Sequence, residues 1–160
     1  MKKSRTRSFI PVIATLTALA VLNSCGSGDD TKTVNSLSKK EFIKQADQIC
    51  SKTEKRQLVL IGKFEEGKSP QESQASSPKA EEELVAFAGV PPVKQQLQEL
   101  SQLPAPEGGS EQVDGYLKAL ETGLKTAEND PALLLSIDSD PFAKATSLAK
   151  AFGFKVCSGA

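Results

Sequence analysis

An uncharged apolar run near the N-terminus sets where the folded part of this chain can begin. Residues 9–22 carry no charged side chain, follow the basic segment 1–8 and end at small polar residues. This order of zones is typical of a secretory signal peptide. The run falls short of the roughly 20 apolar residues that a transmembrane helix needs, and it lacks the amphipathic period of a helix packed in a domain. We therefore interpret it as a signal that the folded protein does not retain.

Composition downstream of the signal narrows the class of protein. Leu and Ala dominate the apolar residues, whereas the chain has seven Phe, one Tyr and no Trp, which favours helices over sheets. The full chain has no net charge, but four basic residues belong to the signal, which leaves 16 of the 20 Lys and Arg against 20 Asp and Glu, or −4. This acidity argues against a nucleic-acid partner. The chain contains no His, which excludes nucleophilic and zinc sites that depend on it.

The residues that end the signal carry a recognisable pattern. Leu22, Ser24 and Cys25 occupy the positions at which the lipobox of bacterial lipoproteins has Leu, a small residue and Cys, so the boundary resembles a lipobox. The resemblance implies a signal peptide over 1–24, cleavage before Cys25, and a diacylglyceryl thioether on Cys25 with acylation of the new amino terminus. Two or more acyl chains hold a protein firmly to a bilayer. The alternative is ordinary cleavage nearby, which leaves Cys25 as a free thiol.

That resemblance also implies a location and a layout. The protein is expected on the extracytoplasmic face of the bacterial cell membrane, or of the outer membrane in a Gram-negative cell. Residues 25–36 are small, polar and charged, so they cannot bury enough surface to fold and are predicted to be a flexible tether. A flexible chain of that length reaches about 20 Å on average. The domain is predicted over residues 37–160.

Helix caps and stops divide the domain into four main helices. Ser38 and Glu41 form a capping box before the first helix, and Ser77 precedes Pro78 at the start of the second. Residues 89–92 (Gly-Val-Pro-Pro) interrupt the second helix, which is expected to resume at Pro92. We predict an all-α, four-helix bundle-like domain with a proline-kinked second helix. The third helix starts near residue 110, and the fourth runs from about residue 141 to a glycine cap at 153.

Apolar residues at helical spacing predict which faces are buried. Gly123 interrupts the third stripe and is either a point of close packing or merely tolerated, and Tyr116 is expected at the rim of the core. The predicted stripes are, helix by helix, Phe42, Ala46, Ile49, Cys50, Thr53, Leu60, Ile61 and Phe64; Leu84, Val85, Phe87 and Ala88, continued by Leu97, Leu100 and Leu103; Val113, Tyr116, Leu117, Leu120, Leu124 and Ala127; and Phe142, Ala145, Leu148, Ala149 and Phe152.

Cysteine arithmetic predicts one disulfide. The chain has three Cys, and if Cys25 carries lipid, then Cys50 and Cys157 remain as a pair. Disulfides persist outside the cytoplasm, so a bond between them would tie the C-terminus to the first helix. The alternative is two buried, reduced thiols. No C-x-x-C motif or His is present to activate a thiol, which argues against a redox role.

Three further motifs carry a second resemblance. They are residues 46–50 (Ala-Asp-Gln-Ile-Cys), a Leu-rich helix over 97–104 that ends in Pro, and a closing pattern of Ala149, Gly153 and Cys157. Together they resemble a loose class of uncharacterised small bacterial envelope proteins over most of residues 38–157. The resemblance implies helical packing and the Cys50–Cys157 bond. It implies no activity.

The polar residues point to no catalytic, cofactor or metal site. Asp138, Asp140 and Asp130 lack the spacing and glycine turn of a calcium loop, so the last two are interpreted as caps of helices that start with Pro. The acidic triplet 81–83 suits the positive start of the second helix better than a metal. No glycine-rich phosphate-binding loop is present, and the scarcity of aromatic residues argues against a carbohydrate-binding surface of aromatic rings.

These observations predict a membrane-anchored extracytoplasmic lipoprotein that is a non-enzymatic binding or interaction module. Its expected partners are the membrane, through Cys25, and an envelope protein or a small apolar ligand between the helices. One alternative is an envelope enzyme or accessory factor that uses carboxylates alone. The other is a structural surface lipoprotein without a ligand. An apolar cavity or exposed apolar patch favours the binding module, whereas a recessed carboxylate cluster favours the enzyme.

Overall fold

The computed structural model describes residues 36–66, 68, 77–136 and 138–159, and this part of the chain is helical without a strand. Its helices are α1 (Lys39–Glu66), α2 (Pro78–Ala88), α3 (Val90–Ser101), α4 (Ser110–Asn129) and α5 (Ala143–Phe152), with a 3₁₀ turn (Pro131–Leu135) between α4 and α5. Because α2 and α3 are two halves of one kinked helix, the predicted all-α architecture of four main helices is confirmed. The proposed signal, Cys25 and the tether before Ser36 lie outside the described residues.

The start of α1 has the predicted capping box. The Ser38 hydroxyl accepts a hydrogen bond from the Glu41 N–H at 3.3 Å, and the Glu41 carboxylate accepts one from the Ser38 N–H at 3.2 Å. One residue earlier, the Leu37 N–H donates to the Ala105 carbonyl at 3.1 Å, and the Glu107 N–H donates to the Leu37 carbonyl at 2.7 Å. These bonds fix the entry to α1 against the loop that follows α3.

The helix resumes after the kink two residues earlier than predicted. The Gly89 N–H donates to Val85 at 2.8 Å, and α3 begins at Val90 rather than at Pro92. The reason is that Pro91 and Pro92 occupy the first turn of α3, where a helix leaves its N–H groups unpaired in any case. A Cβ at Gly89 would lie 2.6 Å from the Val85 carbonyl oxygen, so the kink also depends on a residue without a side chain.

The core lies where α1, α3, α4 and α5 meet. Phe42 of α1 packs edge-on against Phe152 of α5, with ring centroids 6.1 Å apart, and Tyr116 of α4 lies 5.2 Å from Phe154. A shared core of this kind means that the helices fold as one unit. Its buried members are Phe42, Ala46, Ile49, Cys50, Leu100, Val113, Tyr116, Ala119, Leu120, Ala145, Ala149, Phe152 and Phe154.

The disulfide joins the two ends of this core. Cys50 of α1 and Cys157 near the C-terminus are bonded, with Cα atoms 5.2 Å apart and a sequence separation of 107. The predicted pairing is confirmed. The chain reaches Cys157 because α5 stops at Gly153, which has a φ of 106° in the left-handed region that favours glycine.

Gly123 is a point of close packing between α4 and the segment that enters α5. A Cβ built there would lie 2.5 Å from the Pro141 carbonyl oxygen and 2.7 Å from Cδ1 of the Phe142 ring. Gly115, two turns earlier in α4, has no atom within 4 Å of the corresponding position. Of the two interpretations of Gly123, the structure supports close packing.

This difference yields a paired prediction. We expect Gly123→Ala to lower the free energy of unfolding by about 2 kcal/mol, because the clash is with backbone that cannot easily move aside. Gly115→Ala should raise it by up to about 1 kcal/mol, since alanine is the better helix former and its methyl group meets open space. Urea unfolding of both variants and of the parent protein measures the two changes in the free energy of unfolding. Changes of the same sign in both variants would contradict close packing at Gly123.

Candidate functional site

An open groove lies between α1 and α2 at the end of the bundle remote from Ser38. Its volume is about 650 Å³, which is within the range of small-molecule sites in proteins. Four helical elements and the kink contribute to it, so it is a feature of the tertiary structure and not of one helix. Its lining residues are Glu54, Gln57, Leu58, Ile61, Leu84, Val85, Ala88, Gly89, Val93, Leu134 and Phe142.

The lining residues on the two long walls of the groove are spaced so that they fall on one side of each helix. On α1 the lining residues fall at positions 54, 57, 58 and 61, which is one side of a helix. On α2 the residues at 84, 85 and 88 face them across the groove. The kink connects the walls formed by α2 and the 3₁₀ turn. Gly89 lines the groove there, and because it has no Cβ, it leaves room for Leu134 of the 3₁₀ turn. A larger residue at Gly89 would bring a Cβ to 3.2 Å from the Leu134 side chain.

Part of the predicted buried stripe is open to solvent here. Ile61 is 38% exposed and Phe87 is 45% exposed, so their assignment to the core was wrong. The buried residues of α1 all lie between Phe42 and Thr53, and the part of α1 after Thr53 has no buried residue. Leu58, which the sequence pattern did not single out, is 68% exposed and lines the groove. Exposed apolar side chains grouped in this way are typical of interaction sites.

The polar groups of the groove lie on α1 and at the kink. Glu54 supplies a carboxylate and Gln57 an amide, and no Lys or Arg is among the lining residues. Pro91 and Pro92 have no N–H, so the carbonyls four residues before them, at Phe87 and Ala88, lack the helical donor that those positions normally supply. The groove therefore combines an apolar surface with hydrogen-bond acceptors.

A second cluster of polar groups, centred on Asp47, stabilises the fold. Its carboxylate accepts hydrogen bonds from the backbone N–H groups of Lys155 at 3.1 Å, Val156 at 2.9 Å and Cys157 at 3.1 Å. Successive N–H groups around one anion form a backbone nest, which favours negative charge. Asp47 thus holds the C-terminal segment on α1 beside the disulfide. Asp47 belongs to the motif at residues 46–50, but the sequence did not reveal its hydrogen-bond partners, because they lie more than 100 residues away.

Neither aspartate interpreted as a helix cap has that role in the structure. The Asp140 carboxylate accepts a hydrogen bond from the Phe142 N–H at 2.8 Å, but this bond lies in the turn before α5, whose N-cap is Phe142 and has no side-chain capping bond. Asp130 makes no side-chain capping bond at the 3₁₀ turn. Glu81, Glu82 and Glu83 are exposed at the start of α2, as the helix-start interpretation requires. Within the described residues no group of three His, Cys, Asp or Glu side chains could hold a metal ion.

Tyr116 lies at the centre of the core, so its predicted position at the rim was wrong. It is 2% exposed and packs against the ring of Phe154, which follows α5. Burial raises its pKa to about 12, since the phenolate would lose its hydration; the amide of Gln96 opposes this rise, and the charge of Asp47 adds to it. Gln96 is near enough to affect the hydroxyl, but the hydroxyl has no partner with full hydrogen-bond geometry in the described part of the chain.

A titration can test this burial directly. Tyr116 is the only Tyr and the chain has no Trp, so ultraviolet absorbance reports this one phenol. We expect the folded protein to ionise near pH 12 and the urea-unfolded chain near its ordinary pKa of about 10. The native state keeps a proton that the unfolded chain releases, so the free energy of unfolding should fall as pH rises from about 10 towards 12. Equal midpoints in both states would contradict the burial.

None of the helices in the described ranges is both long enough and apolar enough to span a bilayer. Comparisons of the chain with protein-family models, curated proteins and solved structures gave no match.

Proposed function

We propose that this protein is a lipid-anchored extracytoplasmic binding protein that holds a small, mainly apolar molecule in the groove between α1 and the kinked helix. The observation that carries the proposal is the groove itself, with apolar side chains that the rest of the domain leaves uncovered. Water contact with Leu58 and Ile61 has a cost that an apolar ligand would remove. The kink at Gly89 and the 3₁₀ turn hold the far wall in place, so the site is largely formed before binding.

The anchoring part of the proposal rests on the sequence. Leu22, Ser24 and Cys25 fit the lipobox pattern, and the Cys50–Cys157 disulfide agrees with an oxidising compartment outside the cytoplasm. Mass spectrometry of the protein purified from membranes tests it. The expected result is an N-terminal peptide that begins at Cys25 and carries acyl groups. An unmodified Cys25 would refute the anchor without affecting the groove.

Binding can be tested with a neutral dye whose fluorescence rises in apolar surroundings. The protein is the chain from residue 26 onward, which contains the complete core and lacks the lipid. We expect the dye to bind the parent protein and Leu58→Asp to weaken binding about tenfold, since it removes an apolar contact and places a charge in the groove. Leu58 is 68% exposed, so the substitution should leave the fold intact.

The matched control is Val59→Asp. Val59 is 57% exposed on the same helix but does not line the groove. The Val59→Asp variant should therefore bind the dye like the parent protein, although its new negative charge lies only one residue from that of Leu58→Asp. Equal loss in both variants, or no dye binding to the parent protein, would contradict a ligand site in the groove.

A further inference from the structure

We propose that the ligand of the groove is an amphiphilic amine, a molecule with an apolar body and a protonated amino group that is held by Glu54. This inference rests on the proposed function and deepens it, because it names the chemical class of the ligand. It follows from three features of the groove: one unpaired negative charge, a lack of positive charge among its lining residues, and apolar side chains on both walls.

Glu54 is the only charged side chain that lines the groove. It has no ion pair and no side-chain hydrogen bond with any other residue that the structure describes. Of the basic residues nearest to it along α1, Lys52 and Lys55 form no ion pair with it, and Arg56 pairs with Glu99 of α3 at 2.7 Å instead. The carboxylate is therefore free to pair with a ligand cation at the edge of the apolar surface.

The other polar groups of the groove reinforce this preference. Among the lining residues, Gln57 adds an amide oxygen that can accept a hydrogen bond. The Gly89 N–H, which could serve an anion, already donates to the Val85 carbonyl at 2.8 Å. A protonated amine has three donors and no acceptor, so it matches a carboxylate and an amide oxygen. A carboxylate ligand would instead meet Glu54 as a like charge.

The apolar part of the ligand would lie along the opposite walls. Leu58 and Ile61 of α1 face Leu84 and Val85 of α2 across the groove, with Phe142 among the remaining lining residues. Glu54 lies about one turn before Leu58 on the same side of α1. A molecule with its amino group at Glu54 can therefore extend its apolar body towards Ile61, in the direction of the helix axis.

Three chain-matched compounds test this assignment: decylamine, decanol and decanoate, each used to displace the neutral dye from the chain that starts at residue 26. We expect decylamine to bind about fivefold more tightly than decanol, as a partly exposed ion pair allows, and decanoate to bind least tightly. Added salt should reduce the advantage of the amine, since the pair is accessible to screening.

Glu54→Gln is the decisive variant. It should bind decylamine and decanol equally while its affinity for decanol stays that of the parent protein. Glu82→Gln is the control, because it removes the same charge from an exposed position that does not line the groove, and it should keep the preference for the amine. Equal binding of amine and alcohol by the parent protein, or a preference that survives in Glu54→Gln, would overturn the inference. If the dye does not bind the parent protein, the proposed function itself fails, whereas a bound dye that none of the three compounds displaces overturns the amine assignment alone.

Discussion

Reduction of the Cys50–Cys157 disulfide is expected to lower the free energy of unfolding by about 4 to 5 kcal/mol. The bond closes a loop with a sequence separation of 107 residues, and in the chain-entropy model its main effect is to restrict the unfolded chain. Domains of ordinary stability have only about 5 to 15 kcal/mol in total. The reduced protein should therefore be close to unfolding at physiological temperature. Urea unfolding with and without a reductant measures the change.

The control for this experiment is the double variant Cys50→Ser with Cys157→Ser. Its unfolding should match that of the reduced parent protein, and reductant should not change it further. A parent protein whose unfolding midpoint is the same before and after reduction would show that the long loop contributes little. In that case the remaining contacts of the C-terminal segment, chiefly those of Asp47, would be sufficient to hold it.

Loss of the Asp47 carboxylate is expected to have the second-largest effect. Asp47→Ala should lower the free energy of unfolding by about 3 kcal/mol, because it leaves the N–H groups of Lys155, Val156 and Cys157 without their acceptor. Hydrogen bonds to a charged acceptor are stronger than those to a neutral one. Urea unfolding under oxidising conditions measures the effect while the disulfide remains intact.

Asp47→Asn separates the charge of the side chain from its shape. The amide retains one acceptor oxygen in a similar place, so we expect a loss of about half that of Asp47→Ala. Hydrogen exchange at residues 155–157 provides a local readout, since these amides should lose protection in both variants. Unchanged protection in Asp47→Ala would mean that the disulfide alone fixes the C-terminal segment.

The position of the groove bears on how an anchored protein could use it. Leu58 lies 20 residues beyond Ser38 in α1, which corresponds to about 30 Å of helix. The first described residues, Ser36 and Leu37, lie at the opposite end of that helix, beside the loop after α3. A ligand site at this distance from the point of attachment is compatible with the proposed anchor at Cys25.

Much of the fold could be predicted from the sequence because helix ends depend on interactions between residues that are close in sequence. The capping box at Ser38, the N-cap at Ser77 and the left-handed glycine at Gly153 each involve residues within a few positions of one another. The disulfide was also predictable, since only two cysteines remain once Cys25 is assigned to lipid. These features need no knowledge of what packs against what.

The candidate site was less predictable. Apolar spacing placed Ile61 and Phe87 in the core, and both are exposed. It also placed Tyr116 in a buried stripe, which the structure confirms, whereas the separate interpretation of Tyr116 as a rim residue was wrong. Periodicity identifies the apolar side of a helix, but it does not say whether a neighbouring helix is long enough to cover that side. The buried residues of α1 end at Thr53, and the groove is lined by α1 residues that follow it.

The sequence by itself determined which segments are helical, where they end and which cysteines pair, because those properties follow from short-range backbone chemistry and from counting. The tertiary structure alone decided that Gly123 is a contact point, that Asp47 binds the C-terminal backbone, and that Glu54 stands unpaired beside an open apolar surface. Each of these depends on groups that are distant in sequence and that meet only when the helices pack around one core.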